Sequence, residues 1–297
     1  MSDNQVTNLL EKPDINQRSF SNSLSRFLRR NSLAVIGIVL VTITIVVAIT
    51  CDWITPYNPL KPEMAVKLQA PSAQHIFGTD DMGRDILSRI LVGTRVSLGS
   101  ALLIIGISGI VGLLVGLAAG YMGGWVDDIL MRLTDVFLAF PALVLAMVIS
   151  ATLGPSLKNA LIAVATVWWP WYARLVRGQV IAVRSKEYIQ AAQTLGVPTL
   201  RIIFKHILPN VLSPVIVQGT LDVGNTILLT ASLSFIGLGA QPPTPEWGAM
   251  VSIGRLYMLS YWWVPTIPGF AILFAVLGFN LLGDAVRDFS DVRSRQL

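Results

Sequence analysis

The sequence predicts an all-α membrane protein, a bundle of six transmembrane helices with both termini in the cytoplasm. Three observations lead there: long apolar blocks, a shortage of charge, and the placing of the charges that remain. Of 297 residues, 53% are hydrophobic and 13% charged, where a soluble domain carries about 25% charged residues. Mean hydropathy is +0.64. A spanning helix needs about 20 mostly apolar residues, because in lipid only internal hydrogen bonds satisfy the backbone. Six blocks qualify, at about 33–52, 96–120, 129–153, 158–178, 212–238 and 264–283.

Taking the blocks in order, an even count puts both termini on one side, and the positive-inside rule selects it. With the N-terminus inside, 15 of the 22 Lys/Arg lie in cytoplasmic segments. They fall in the N-terminal tail, at Arg132, between Arg174 and Lys205, and at the C-terminus. Arg84, Arg89 and Arg95 run against the bias, close before the second block on the outside. Trp53, Trp125, Trp262 and Trp263 stand at block ends, where amphipathic rings favour the headgroup level. The chain divides into a cytoplasmic tail (1–30), a first helix with an outside segment (31–95) and a transmembrane core (96–297). The core carries a cytoplasmic loop at about 180–210. The first block follows Arg29 and Arg30 and runs about 19 residues, longer than the 7–15 of a secretory signal, so it reads as a retained anchor.

Composition excludes several classes. One cysteine, Cys51, forbids an internal disulfide, and two histidines leave little for metal chemistry, so neither a metal nor a cofactor is expected. A net charge of +5 beside apolar spans fits membrane topology and not nucleic acid. His75 and His206 fall in loops, which argues against an intramembrane hydrolase. None of the six lysines follows a glycine, so the G-x-x-x-x-G-K-[ST] phosphate loop is missing and nucleotide hydrolysis must sit elsewhere. An ion-coupled transporter needs several intramembrane ionisable groups and usually an inverted repeat; one deep acid and no repeat are visible.

That acid is Asp222, about ten residues into the fifth block and so roughly 15 Å deep. A carboxylate there costs at least about 2.5–3.5 kcal/mol unless it meets water or a partner. It faces a translocation path or a partner subunit, or else pairs with a polar group on a neighbouring helix, with Asn225 nearly one turn away and Trp168 as a bulky candidate wall or gate beside Pro170. In the second block Gly112, Gly116, Gly120 and Gly124 recur every four residues on one helical face, permitting close packing within the chain or across a subunit interface. Thr79 and Asp80 are candidate caps for an interfacial helix. The proline-rich stretch around Trp247 reads as a rigid extended surface, with Glu246 and Trp247 placed to touch an external protein.

The cytoplasmic loop is the most informative stretch. Residues 181–195 read as helix, Gly196 as its left-handed stop, and Pro198 as the opening of a second helix that ends before Pro209. Gln190, Ala191, Ala192, Gly196, Leu208 and Pro209 resemble the signature loop of permeases in binding-protein-dependent ABC importers: E-A-A, three residues, G, nine residues, then I-x-L-P. Gln190 replaces the glutamate, with Glu187 one turn earlier as a candidate carboxylate, and His206 replaces the isoleucine. Residues 78–89, the stretch 239–248 and Asn280-Leu281-Leu282-Gly283-Asp284 are similar to segments of the C-type permease of the dipeptide, oligopeptide and nickel branch. The resemblance implies a type I importer permease fold in a bacterial inner membrane. It also implies a homologous second permease, two ATPase subunits and a periplasmic or lipid-anchored solute-binding protein. Peptide uptake is the expected task, with nickel or glutathione as the alternative. The family often carries an acid near Thr230, and Asp222 is the candidate substitute.

Overall fold

The computed structural model describes residues 31–294. The N-terminal tail with its five basic residues, and Arg295, lie outside the described residues. Helix α1 (Ser32–Ile54) starts where the Asn31 side chain accepts from the Ala34 N–H at 3.2 Å, the usual device for satisfying an orphan donor. Helix α2 (Ile86–Met122) is 37 residues long, about 55 Å. It begins ten residues before the expected edge at 96, because Arg89 and Arg95 mask the apolar pattern while Asp85 caps the true start. Arg95 reaches back to α1, donating to Ala48 O at 2.9 Å and Ile49 O at 3.2 Å and pairing with Asp52 at 2.8 Å.

The third block is not one helix. Helix α3 (Gly124–Leu138) and helix α4 (Ala142–Leu153) meet at 88°. Pro141 has no N–H for the ladder of α3 and disfavours helix in the residue before it. Helix α3 is amphipathic, and its acids bind helix α5 (Leu157–Arg184), which comes after α4: Arg177 grips Asp127 through two contacts of 2.5 and 2.6 Å, and Arg174 reaches Asp135 at 2.6 Å. Helix α5 runs through Pro170. Among the described residues, four helices are long and apolar enough to cross a membrane, five if the bent pair counts as one span.

Helices α2 and α5 form the spine. Gly112, Gly116 and Gly120 lie against Tyr172, Ala173, Val176 and Val180 of α5, so the glycine face packs inside the chain. A Cβ on Gly116 would stand 2.6 Å from Ala173 O and from Val176 Cβ. Gly116→Val should therefore pry the spine apart, at a cost of about 1–3 kcal/mol typical of overpacking. The check is the melting temperature of the purified chain with its partners, which should fall against wild type. Gly124 departs from the expected ladder: α2 ends at Met122, and Gly124 opens α3 at φ +54 with open space around it.

Beyond α5 come helix α6 (Glu187–Thr194), the single turn α7 (Thr199–Ile202), a π-helical stretch (Ile203–Ile207) and helix α8 (Leu208–Ile236). The second loop helix therefore does not stop before Pro209 but merges into α8. Pro209 sits in the first turn of α8, where a missing N–H is tolerated. Helix α9 (Trp247–Gly254) and helix α10 (Trp263–Ser294) complete the chain. Helix α10 packs on α1 with little between the backbones: a Cβ on Gly37 would stand 2.7 Å from Leu282 N, and one on Gly278 2.8 Å from Leu40 Cβ. Trp53, Trp125 and Trp262 are exposed, but Trp263 is buried in a core with Ile86, Trp247 and Met250.

Candidate coupling and translocation sites

The hairpin between α5 and α8 is anchored on one side and bare on the other. Ile189, Ile202 and Ile207 are buried with Val176, Val180, Val183 and Val211, and each such side chain contributes about 1.5–3 kcal/mol when taken from water. The turn is a Schellman motif: Val197 N–H bonds Ala192 O at 3.1 Å, Gly196 N–H bonds Gln193 O at 3.0 Å, and Gly196 lies at φ +74. A break at Ser185 and Lys186 separates α5 from α6, so the expected helix 181–195 is two. Glu187, Gln190 and Ala191 are exposed, as are Gly196 and Pro209, while Ala192 and Leu208 are half-buried. His206 lies against the Tyr188 ring at 6.3 Å between centroids. Sequence reasoning missed the most prominent surface here: Leu195 is 81% exposed, Leu200 68% and Phe204 64%.

Asp222, Asn225 and Trp168 come together midway along α8. Asp222 is 4% exposed. Gln218 donates to its Oδ1 at 3.1 Å, and Tyr172, Trp168 and Asn225 surround the carboxylate. Its Oδ2, Trp168 Nε1 and the Tyr172 hydroxyl are buried without a hydrogen bond. Among the described residues no cation pairs with Asp222. Gln218, Asn225 and Ser232 are spaced by seven, so they share one face of α8 with Asp222 close beside it. Tyr172 is the member that sequence reading missed; its place one turn after Trp168 was the available signal.

The opposite end is a buried polar knot. Asp80 Oδ2 meets Arg84 Nε at 2.7 Å and Arg89 Nε at 3.3 Å, and Oδ1 accepts from the N–H of Met82 and Arg84, both at 2.9 Å. Arg89 donates to Pro59 O at 2.8 Å and Pro243 O at 3.4 Å, joining three loops. Burial and the neighbouring Asp80 push the Asp81 carboxyl up, opposed by Arg84. The capping role expected of Thr79 and Asp80 belongs to Asp85, whose Oδ2 accepts from Ser88 N–H at 2.8 Å and whose Oδ1 meets His75 at 2.9 Å. Thr79 instead pairs with Asp85 in a β-bridge, which turns the segment into a loop. Glu246 and Trp247 do not form an extended outer surface: both are buried, and Glu246 caps α9 by accepting from Gly248 and Ala249 at 3.0 and 2.9 Å. Burial pushes the Glu246 carboxyl above its usual range against those two donors and the hydroxyls of Ser234 and Ser97.

Several helices long and apolar enough to cross a membrane, joined by a helical hairpin with exposed apolar side chains, define a polytopic membrane protein. Residues 112–296 match the family described as "Binding-protein-dependent transport system inner membrane component", and residues 19–71 match "N-terminal TM domain of oligopeptide transport permease C". The chain belongs to this family of inner-membrane permeases. It is 44% identical to the probable D,D-dipeptide transport system permease protein DdpC of Escherichia coli K12, over 95% of each chain. It is 47% identical to the dipeptide transport system permease protein DppC of Alkalihalophilus pseudofirmus, over 90% of this chain and 88% of that one. Among solved structures, the inward-facing MetNI methionine ABC transporter covers 65% of this chain and 94% of its own at 19% identity and a TM-score of 0.49.

Proposed function

We propose that the chain is one permease subunit of an ATP-driven importer that passes di- and oligopeptides from an external solute-binding protein into the cytoplasm. The similarity to dipeptide permeases over nine-tenths or more of the chain carries this reading. No specific observation favours nickel or glutathione. The chain has no hydrolytic role of its own: energy enters from two ATPase subunits docked on the hairpin, and a homologous permease completes the path. The exposed Leu195, Leu200 and Phe204, set on a buried isoleucine base, suit an apolar cleft on an ATPase, and Glu187, Gln190, Ala191 and Gly196 complete that contact.

Six crossings result if α3 and α4 together make one span and α5, about 42 Å long by its 28 residues, makes another. Both termini are then cytoplasmic, and the three segments divided at about 30 and 95 are a tail, an anchor with its outside segment, and the core. Asp222, Asn225 and Trp168 line the path.

Affinity purification through a tag on this chain, followed by uptake in vesicles supplied with ATP, tests the whole reading. ATPase subunits should co-purify, and a radiolabelled dipeptide should accumulate only with ATP and the binding protein. Gradient-driven uptake indifferent to ATP would overturn it.

A further inference from the structure

Within the proposed path, the polar cluster on α8 has the composition of a receptor for one particular chemical group. Asp222 is buried, has one oxygen occupied by Gln218, and leaves Oδ2 without a partner in the described structure. The Tyr172 hydroxyl and the Trp168 indole N–H, from the facing helix, lie beside the same carboxylate without closing into a well-formed hydrogen bond with it. The exposed Asn225 and half-buried Gln218 continue this polarity along the helix face. An unpaired buried acceptor costs about 1–3 kcal/mol and more when charged, and a lone intramembrane carboxylate marks a functional site unless another group neutralises it.

We propose that this cluster is a subsite for the protonated amino terminus of the peptide in transit, an inference that rests on the path reading above. An ammonium has three donors and no acceptor. Asp222 Oδ2, the Tyr172 hydroxyl oxygen and the Asn225 side-chain carbonyl are acceptors of matching number, and the carboxylate supplies the opposite charge. The Trp168 indole N–H, beside the same carboxylate, is the donor for the first peptide carbonyl. All these contacts address atoms common to every peptide, so the subsite reads backbone and tolerates any side chain. The binding is a relay step: a charge held at mid-membrane without a fixed partner is matched briefly and released.

The test uses the assembled importer in right-side-out membrane vesicles, with buried Cys51 replaced by alanine and Gly219→Cys as the reporter, where a Cβ stands in ordinary contact 3.8 Å from the Tyr172 hydroxyl. Two thiol reagents of similar size are compared, one bearing a quaternary ammonium and one a sulfonate, with and without ATP and the binding protein. The cationic reagent should react about tenfold faster, a modest effect for a carboxylate one helical turn away. The preference should vanish when Asp222→Asn is added. Dialanine should slow the labelling and N-acetyl-dialanine should not. No reaction with either reagent in any state overturns both this inference and the path reading. Reaction without a cation preference, a preference that survives Asp222→Asn, or equal protection by the acetylated peptide overturns the ammonium subsite and leaves the path standing.

Discussion

Replacing Gly196 with valine is expected to reduce ATP-dependent uptake to below a tenth of wild type while the chain remains in the membrane. Gly196 lies at φ +74, where a β-branched residue is strained by about 1–3 kcal/mol. The space around it is open, so the penalty is one of backbone and not of contact. The chain relieves it by unwinding the Schellman turn, which releases the bonds from Val197 to Ala192 and from Gly196 to Gln193. Ile189 and Ile202 stay anchored, because their burial against α5 and the start of α8 outweighs the strain. Leu195 and Leu200, flanking the turn, lose their fixed spacing, and with it the surface proposed to meet the ATPase. The measurement is paired: dipeptide uptake in vesicles, and the amount of this chain and of ATPase in the membrane fraction. Gly196→Asn, which tolerates positive φ better, should recover much of the activity. Full uptake by the valine variant would remove the hairpin from the coupling path.

How much of this was visible in the sequence depends on which interaction decides each element. Helices α1, α2, α8 and α10 are set by hydropathy, a property of consecutive residues, and their blocks match to within a few residues except at the end of α10, which runs past 283 to Ser294 through Asp284, Arg287 and Asp288, and at the start of α2. There the deciding residue is Asp85, and a local rule finds Thr79 and Asp80 equally good caps; only the bridge between Thr79 and Asp85 separates them. The bend between α3 and α4 was hidden because Asp135 counts as a tolerated charge within the block until Arg174 is seen facing it, and Asp127, paired with Arg177, lies before the block. The short α9 starts at the end of a proline-rich run whose composition argues against helix, and its cap, Glu246, is a buried carboxylate that a composition rule does not place. In the candidate sites, Gly196 announced its turn through a local constraint. Leu195, Leu200 and Phe204 did not, since the hairpin holds more apolar residues than one face can bury, and periodicity alone does not say which stay outside. The convergence of Tyr172 and Trp168 on Asp222 joins two helices fifty residues apart in sequence, a distance no motif spans.

The largest effect on stability is expected from Asp80→Ala. Arg84 and Arg89 are 5% and 2% exposed, and Asp80 lies against both. Removing it leaves two buried guanidinium groups with only Asp81, at 3.6 Å from Arg84, as a nearby countercharge. Breaking a buried pair from one side costs about 3–5 kcal/mol because the surviving charge is uncompensated. Two backbone donors, of Met82 and Arg84, lose their acceptor at the same time. The consequence is not confined to the loop. Arg89 also ties the carbonyls of Pro59 and Pro243, so its release unfastens the segment after α1 and the one before α9 together. The purified importer should melt about 10 °C lower, and membrane levels of the chain should fall. Asp80→Asn separates charge from hydrogen bonding: it keeps an acceptor for the backbone donors and removes only the charge, so its melting point should lie between the two. If alanine and asparagine prove equally harmful, the charge is what holds this end of the fold together. If asparagine is harmless, the backbone bonds hold it, and the arginines are stabilised by the carbonyls alone.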